Sequence, residues 1–163
     1  MTRESETLEY GNDAASIHDK KVYDTKQRVE LINNTKNAVL ISIHQNKFSD
    51  STVKGAQIFY RTEEDSLNFA ESVNAELREI CKNVRLPSKI SDKIYIFKYI
   101  SCPAVMLECG FISNSEENAL LVTNEYQNKL ALAIISGYLN YEDQLYKDTV
   151  GGTYESKNNI LLY

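Results

Sequence analysis

Two short apolar runs, each ending in an ionisable residue, constrain the fold of this chain. One run, AVLISIH, ends at His44, and the other, PAVMLE, ends at Glu108. Near-continuous apolar runs of this length are typical of strands that are buried on both faces, which occur in α/β proteins. Stretches with helical periodicity alternate with these strands. The sequence therefore predicts an α/β fold, with an open, mostly parallel, twisted sheet and helices on both faces.

The remaining pattern predicts further elements along the chain. Periodicity predicts a helix that begins at Asp24, and one that begins at Thr123 or Asn124. A third helix is expected to begin at Asp65 or Ser66. Strands are predicted over 55–60 and, from alternating apolar and polar residues, over 93–99. Asn114 and Glu117 have the spacing of a capping box, which predicts a short helix.

The length of 163 residues fits one domain with a substantial core. The apolar pattern fails after Tyr141. We therefore predict one domain over residues 1–141 and a loosely ordered tail over 142–163.

Composition excludes several classes of function. A net charge of −5 gives no electrostatic reason to expect nucleic acid or an anionic membrane as a partner. The sequence has neither an apolar run long enough for a transmembrane helix nor the apolar region of a signal peptide at its start. The three cysteines are an odd number and none have CxxC spacing, which argues against a disulfide framework and a cysteine-rich zinc module.

His44 and Glu108 are the candidate site residues. The carboxyl ends of strands are where open α/β sheets form their sites. A histidine and a glutamate together at such an edge fit metal-assisted hydrolysis, in which the histidine binds zinc and the glutamate accepts a proton from water.

Three simpler readings stay open. His44 alone could be an ordinary hydrogen-bonded residue at a strand end. Glu108 could pair with a Lys or Arg, or cap the chain that follows it. Cys109 with His44 could form a nucleophilic pair, although strand alternation points Cys109 away from the site.

Four segments in a fixed order resemble a known family. SIHQN, GAQIFY, PAVMLECGFISNSEE and EYQNKLALAIISGYLNY are together similar to the zinc-dependent N-acetylmuramoyl-L-alanine amidases of bacteria, of the Amidase_3 type, especially those of the spore cortex and germination. The opening MTRES, and Arg28 with the following LIN, resemble two further segments of the family. The resemblance covers residues 1–141.

The resemblance implies a reaction, a cofactor and a set of site residues. The family hydrolyses the amide bond between N-acetylmuramic acid and L-alanine in peptidoglycan, with one zinc ion held by two histidines and a glutamate. By position, His44 matches a zinc ligand and Glu108 matches the catalytic glutamate. Peptidoglycan or a muropeptide is the implied partner, and the implied location is extracytoplasmic, in the cell wall or spore cortex. The positions expected to shape the site are Arg3, Arg28, Asn46, Gly110, Phe111, Ser113 and Asn114.

The chain departs from the family at its start. In the family, the strand and the helix that carry the other two zinc ligands precede the TR segment, which here is at residues 2–3. We therefore expect an N-terminally truncated domain whose zinc site needs an upstream segment or a partner chain, with His18 as a weaker candidate ligand. The alternative function is an inactive remnant that binds muropeptide or regulates an intact amidase.

Overall fold

Five strands form one mixed sheet in the computed structural model of the protein, which describes residues 16–148 and 159–162. The order of the strands across the sheet is β3-β2-β4-β1-β5, and only the β2–β4 pair is antiparallel. The predicted open, mostly parallel sheet is therefore confirmed. Arg3 lies outside the described residues. The strands are β1 (Ala38–Asn46), β2 (Gln57–Tyr60), β3 (Ser88–Lys89), β4 (Ala104–Phe111) and β5 (Asn159–Leu162).

Helices cover both faces of the sheet. The described helices are α1 (Ile17–Asn34), α2 (Glu64–Ile80), α3 (Tyr95–Tyr99), α4 (Ser115–Leu121) and α5 (Asn124–Asp148). On one face, α2 and α5 bury a core that includes Phe69 and Val105. On the other face, α1 and α3 pack Ile32 and Phe97 against Leu40 of β1. No helix in the described ranges is both long and apolar enough to span a membrane.

The largest helix contact is the crossing of α2 and α5, which is unusually close. A Cβ atom added to Gly137 would lie 2.5 Å from Cα of Val73. The rings of Phe69 and Tyr141 stack beside this crossing, with centroids 4.9 Å apart. The two helix axes can come this close only where a side chain is missing. Gly137 therefore determines how closely α2 and α5 pack against each other.

Two predicted helix starts were wrong. Helix α1 begins at Ile17, because Ser16 and Asp19 form a capping box and Ser16 lies about two turns before the predicted cap at Asp24. Helix α2 begins at Glu64, before Asp65 and Ser66. The third start is right: the Thr123 hydroxyl accepts the N–H of Tyr126 at 3.3 Å, as the cap of α5.

The strand predicted over 93–99 was also wrong, because Tyr95–Tyr99 is helix α3. Ile96, Phe97 and Ile100 are buried in this segment, whereas Ile94 is exposed. Burial at adjacent positions and one turn later is a helical pattern, since adjacent residues of a strand face opposite sides.

Residues beyond Tyr141 have more regular structure than the sequence predicts. Helix α5 continues to Asp148, and Asn159–Leu162 form β5 alongside Ala38–Ile41 of β1. These residues therefore differ from the loosely ordered tail that we expected. The domain boundary at Tyr141 stays a prediction.

Candidate active site

His44 and Glu108 lie opposite each other at the carboxyl ends of two adjacent strands. The parallel register of β1 and β4 pairs His44 with Glu108 and Ser42 with Met106. Alternation along both strands places these side chains on the face that α1 and α3 cover further down. The two residues singled out from the sequence are therefore neighbours on one face of the sheet.

The imidazole of His44 is held by a buried neighbour on its own strand. Nε2 lies 2.7 Å from Oγ of Ser42, a side chain with no exposed surface. Burial lowers the pKa of His44 below its usual value. The ring is therefore favoured in its neutral form, which is the form that binds a metal ion. Ser42 is not among the predicted site residues, although it is the first residue of SIHQN.

The carboxylate of Glu108 is half-buried and incompletely satisfied. Its Oε2 atom is buried and has no hydrogen-bond partner among the described residues. Burial raises the pKa of Glu108 above its usual value, which makes the carboxylate a stronger base. No Lys or Arg of the described chain forms an ion pair with Glu108, so the structure gives no support to the pairing that we left open. A buried carboxylate oxygen without a partner marks a place for a proton donor, a substrate group or a cation.

A bulge in β4 turns the residues after Glu108. Between the pairs His44–Glu108 and Asn46–Phe111, β4 has one residue more than β1. Gly110 lies within this bulge and has a φ of +153°. A Cβ atom at this position would point at Glu117. Because paired residues of parallel strands share a face, Phe111 lies on the same face as Asn46 and His44.

Glu117 ties this bulge to the segment that leads into β2. Its Oε2 accepts the backbone N–H of Phe111 at 2.7 Å, and its Oε1 accepts the N–H of Gly55 at 2.8 Å. Asn114 caps α4 by accepting the N–H groups of Glu116 and Glu117, as predicted. The reciprocal bond of a capping box is missing, because the Glu117 side chain turns to Phe111 and Gly55 instead.

Three motif residues hold the loop that follows β1. Asn46 accepts the N–H of Ile112 with its backbone carbonyl, at 2.8 Å. Oγ of Ser113 accepts the N–H of Phe48 at 3.1 Å, and Nδ2 of Asn114 donates to the carbonyl of Ser51 at 2.9 Å. These contacts favour a supporting role for the three residues.

Helix α1 runs back along the sheet toward the site. It spans about 27 Å, close to the length of β1, and joins β1 through a short connection, so its first turns lie near the carboxyl end of β1. Arg28 forms a 2.9 Å ion pair with Asp24 on this helix. His18 lies exposed in its first turn, before the helix start at Asp24 that the sequence predicts.

The described residues do not form a complete metal site. No three His, Cys, Asp or Glu side chains of the ranges 16–148 and 159–162 lie together in a way that could hold a metal ion. His18 is therefore not joined with His44 and a carboxylate into such a group. Structural and catalytic zinc ions have three or four protein ligands. His44 is a residue type that zinc sites use, and the described residues alone do not supply the ligand number that zinc needs.

Cys109 points away from the two site residues. It is buried in the core beneath α5, on the other face of the sheet. Burial raises the pKa of the Cys109 thiol to about 12. A thiol that stays protonated and lies on the far face cannot serve as the nucleophile beside His44.

Comparison with known proteins gives a consistent result. Residues 1–140 match the Amidase_3 family, described as N-acetylmuramoyl-L-alanine amidase. The germination-specific N-acetylmuramoyl-L-alanine amidase of Bacillus subtilis is 34% identical over 142 residues, which are 86% of this chain and 60% of that protein. This chain therefore spans less than two thirds of the length of that relative.

Two solved structures share the fold and part of the sequence. The CwlD amidase from Clostridioides difficile, in complex with the GerS lipoprotein, superimposes with a TM-score of 0.80 at 34% identity, covering 88% of this chain and 74% of that one. An N-acetylmuramoyl-L-alanine amidase from Clostridium difficile 630 has a TM-score of 0.68 at 30% identity, covering 73% of this chain and 65% of that one.

Proposed function

Because this chain belongs to the Amidase_3 family of N-acetylmuramoyl-L-alanine amidases, we propose that it acts in the hydrolysis of the amide bond between N-acetylmuramic acid and L-alanine in peptidoglycan. The observation that carries this proposal is the pair His44–Glu108, in register at the carboxyl ends of β1 and β4. The proposed setting is the cell wall or the spore cortex, outside the cytoplasm, where peptidoglycan is found.

In the proposed reaction, Glu108 moves the protons. The carboxylate accepts a proton from the water that attacks the amide carbonyl, and then gives it to the nitrogen of the leaving L-alanine. Burial supports this role, because it raises the pKa of Glu108 and so favours the protonated form that the second step needs.

His44 is the proposed zinc ligand of this chain. Its pKa is lowered by burial and its ring is oriented by Ser42, and both features suit a neutral imidazole ligand. A zinc ion, when bound, supplies Lewis acidity toward the amide carbonyl. Since the described residues offer too few ligands, we propose that the remaining ones come from another polypeptide segment.

The edge of β1 is where such a segment could pair. Strand β5 pairs with Ala38–Ile41 only, so on that side Ser42–Asn46 has no strand neighbour among the described residues. An uncovered strand edge accepts a further strand through its backbone groups. The segment would enter beside His44, either from an upstream stretch of the same protein or from a partner chain.

The second candidate function is a non-catalytic one, favoured by the incomplete ligand set of the described residues. A protein that has the face with His44 and Glu108, and no further ligands in the described part of its chain, could bind a muropeptide, or regulate an intact amidase, without hydrolysing the substrate.

One experiment separates the two candidates. The purified chain is dialysed against a weak chelator, its zinc content is measured by elemental analysis, and it is then incubated with peptidoglycan with and without added zinc. Release of new L-alanine amino groups is the readout. Glu108→Gln is expected to lower the rate by about 100-fold or more, while Glu116→Gln, an exposed carboxylate of α4, leaves it unchanged.

The outcomes are distinct. Hydrolysis that depends on Glu108 supports the amidase. Binding to peptidoglycan without hydrolysis, in a chain free of zinc, supports the non-catalytic function. Equal hydrolysis by wild type and Glu108→Gln contradicts the proposed role of Glu108.

A further inference from the structure

A cation lies beside the candidate site, on the ring of Phe111. The guanidinium carbon of Arg85 is 5.3 Å from the centroid of this ring. Arg85 also donates to the carbonyl of Lys54, from Nη2 at 3.1 Å and from Nε at 3.4 Å. Stacking and hydrogen bonds together restrict a side chain that is otherwise long and mobile.

The backbone of Arg85 is anchored as firmly as its side chain. Its N–H donates to the carbonyl of Ala56 at 2.9 Å, and the preceding residue Val84 forms a parallel bridge to Ala56. Gly55 lies beside the arginine, since a Cβ atom on Gly55 would be in ordinary contact with Cγ of Arg85 at 3.6 Å, and its φ of +110° favours glycine. The guanidinium therefore has a defined place next to the end of β4.

This place is next to the His44–Glu108 pair. Phe111 pairs with Asn46, and that pair lies two β1 residues beyond His44 and Glu108 on the same face. Two residues along a strand correspond to about 7 Å. Arg85, lying on Phe111, is thus within the length of a short peptide from Glu108.

Arg85 has no acidic partner within the described part of the chain. No carboxylate of residues 16–148 or 159–162 lies within ion-pair distance of its guanidinium, although the chain has 23 acidic and 18 basic residues. Its Nε and Nη2 donors are directed at the carbonyl of Lys54 instead.

We propose that Arg85 binds a carboxylate of the stem peptide and so selects substrates in which that carboxylate is free. This inference rests on the proposed function, since it assumes a peptidoglycan substrate. The planar guanidinium matches a carboxylate through two parallel hydrogen bonds. A stem peptide in which the carboxylate is converted to an amide loses the charge and one of the acceptors, and binds more weakly.

The test compares two soluble probes that differ in this one group. They are N-acetylmuramoyl-L-alanyl-D-glutamic acid and the corresponding D-isoglutamine amide. Binding to the 163-residue chain is measured by NMR, through the Nε–H signal of Arg85 and through Kd. We expect the acid to bind roughly tenfold more tightly than the amide, as for one charge-assisted hydrogen-bonded pair. Arg85→Gln should bind both probes within about twofold of each other, and Arg85→Lys should restore part of the preference.

Lys82→Gln is the matched control, because it removes one exposed positive charge from the same connector. This variant should keep the preference for the acid. Thermal unfolding of Arg85→Gln shows whether the fold is intact. If Arg85→Gln lowers the affinity for both probes by the same factor, the preference for the acid remains. Arg85 then only holds the loop in place, and the inference is overturned.

The two proposals fail separately. If the wild-type chain hydrolyses peptidoglycan but binds acid and amide equally, the role of Arg85 is wrong and the amidase function stands. If it neither binds the probes nor binds or hydrolyses peptidoglycan, the proposed function fails and the inference with it.

Discussion

Glu117 and the backbone N–H of Phe111 are joined by a 2.7 Å hydrogen bond that ties helix α4 to the strand carrying Glu108. The other oxygen of the same carboxylate accepts the N–H of Gly55, 62 residues away along the chain. One half-buried side chain thus joins β4, next to the bulge at Gly110, to the segment that leads into β2. The geometry of the candidate site depends on this carboxylate, although it lies outside the His44–Glu108 pair.

Glu117→Gln is therefore expected to destabilise the fold. The amide keeps one acceptor oxygen and presents an NH₂ group to the second backbone N–H. The loss should be about 2 kcal/mol in the free energy of unfolding, the usual size for a hydrogen bond to a charged group. Urea unfolding followed by circular dichroism measures it.

Glu116→Gln is the control for Glu117→Gln. Glu116 is adjacent in the sequence, and its side chain is 77% exposed in a surface ion pair with Lys54. Its substitution should change the free energy of unfolding by less than about 0.5 kcal/mol. Equal losses for the two variants would show that the contacts of Glu117 with the strands contribute nothing specific.

Glu108 predicts a dependence of stability on pH. Burial raises the pKa of Glu108, so the folded protein holds this proton more tightly than the unfolded chain does. The contribution to stability is present below the pKa of the unfolded state and is lost as the pH rises through the pKa of the folded state. Glu108→Gln cannot ionise, so it should melt at a higher temperature than wild type at pH 7, and the gap should close at acid pH.

Melting temperatures of wild type and Glu108→Gln between pH 4 and pH 8 test this expectation. If the difference in melting temperature stays constant over this pH range, ionisation of Glu108 does not destabilise the folded protein. The same variant tests catalysis. If Glu108→Gln is more stable than wild type but inactive, the negative charge of Glu108 serves function at a cost in stability.

The sequence was sufficient for the parallel strands β1 and β4 and for the placement of His44 and Glu108 at their ends, because both depend on local patterns. Apolar runs predict buried strands, and the residue that ends such a run lies at the edge of the sheet. The alternation over 93–99 led to a wrong strand prediction, because polar residues on the exposed side of a short helix give the same alternating pattern as a strand. Only packing of Ile96 and Phe97 against the sheet decides between the two.

The contacts that shape the site could not be predicted, because they join distant parts of the chain. The spacing of Asn114 and Glu117 predicts a cap, but nothing local indicates that Glu117 reaches Gly55. Arg85 is likewise placed by a bridge to Ala56 and by the ring of Phe111. Contacts of this kind depend on the register of the sheet and on the bulge at Gly110.

Gly137→Ala should destabilise the protein although alanine favours a helix. The new Cβ would lie 2.5 Å from Cα and 2.9 Å from the backbone N of Val73, and backbone atoms cannot turn aside. We expect a loss of about 2 kcal/mol from overpacking, larger than the gain of about 1 kcal/mol in helix propensity. Ser136→Ala, one position earlier and partly exposed, measures the propensity effect without the clash. If Gly137→Ala is as stable as wild type, the two helices are less tightly packed than the structure shows.

Alkylation of the cysteines tests whether a thiol takes part in any hydrolysis. With the pKa of Cys109 at about 12, roughly one thiol in ten thousand is ionised at pH 8. Iodoacetamide should therefore leave Cys109 unmodified in the folded protein, while the partly exposed Cys102 reacts first, as peptide mapping would show. Activity should survive this treatment and also survive Cys109→Ala. Rapid modification of Cys109 with parallel loss of activity would instead support the pairing of Cys109 with His44, and would require the end of β4 to open in solution.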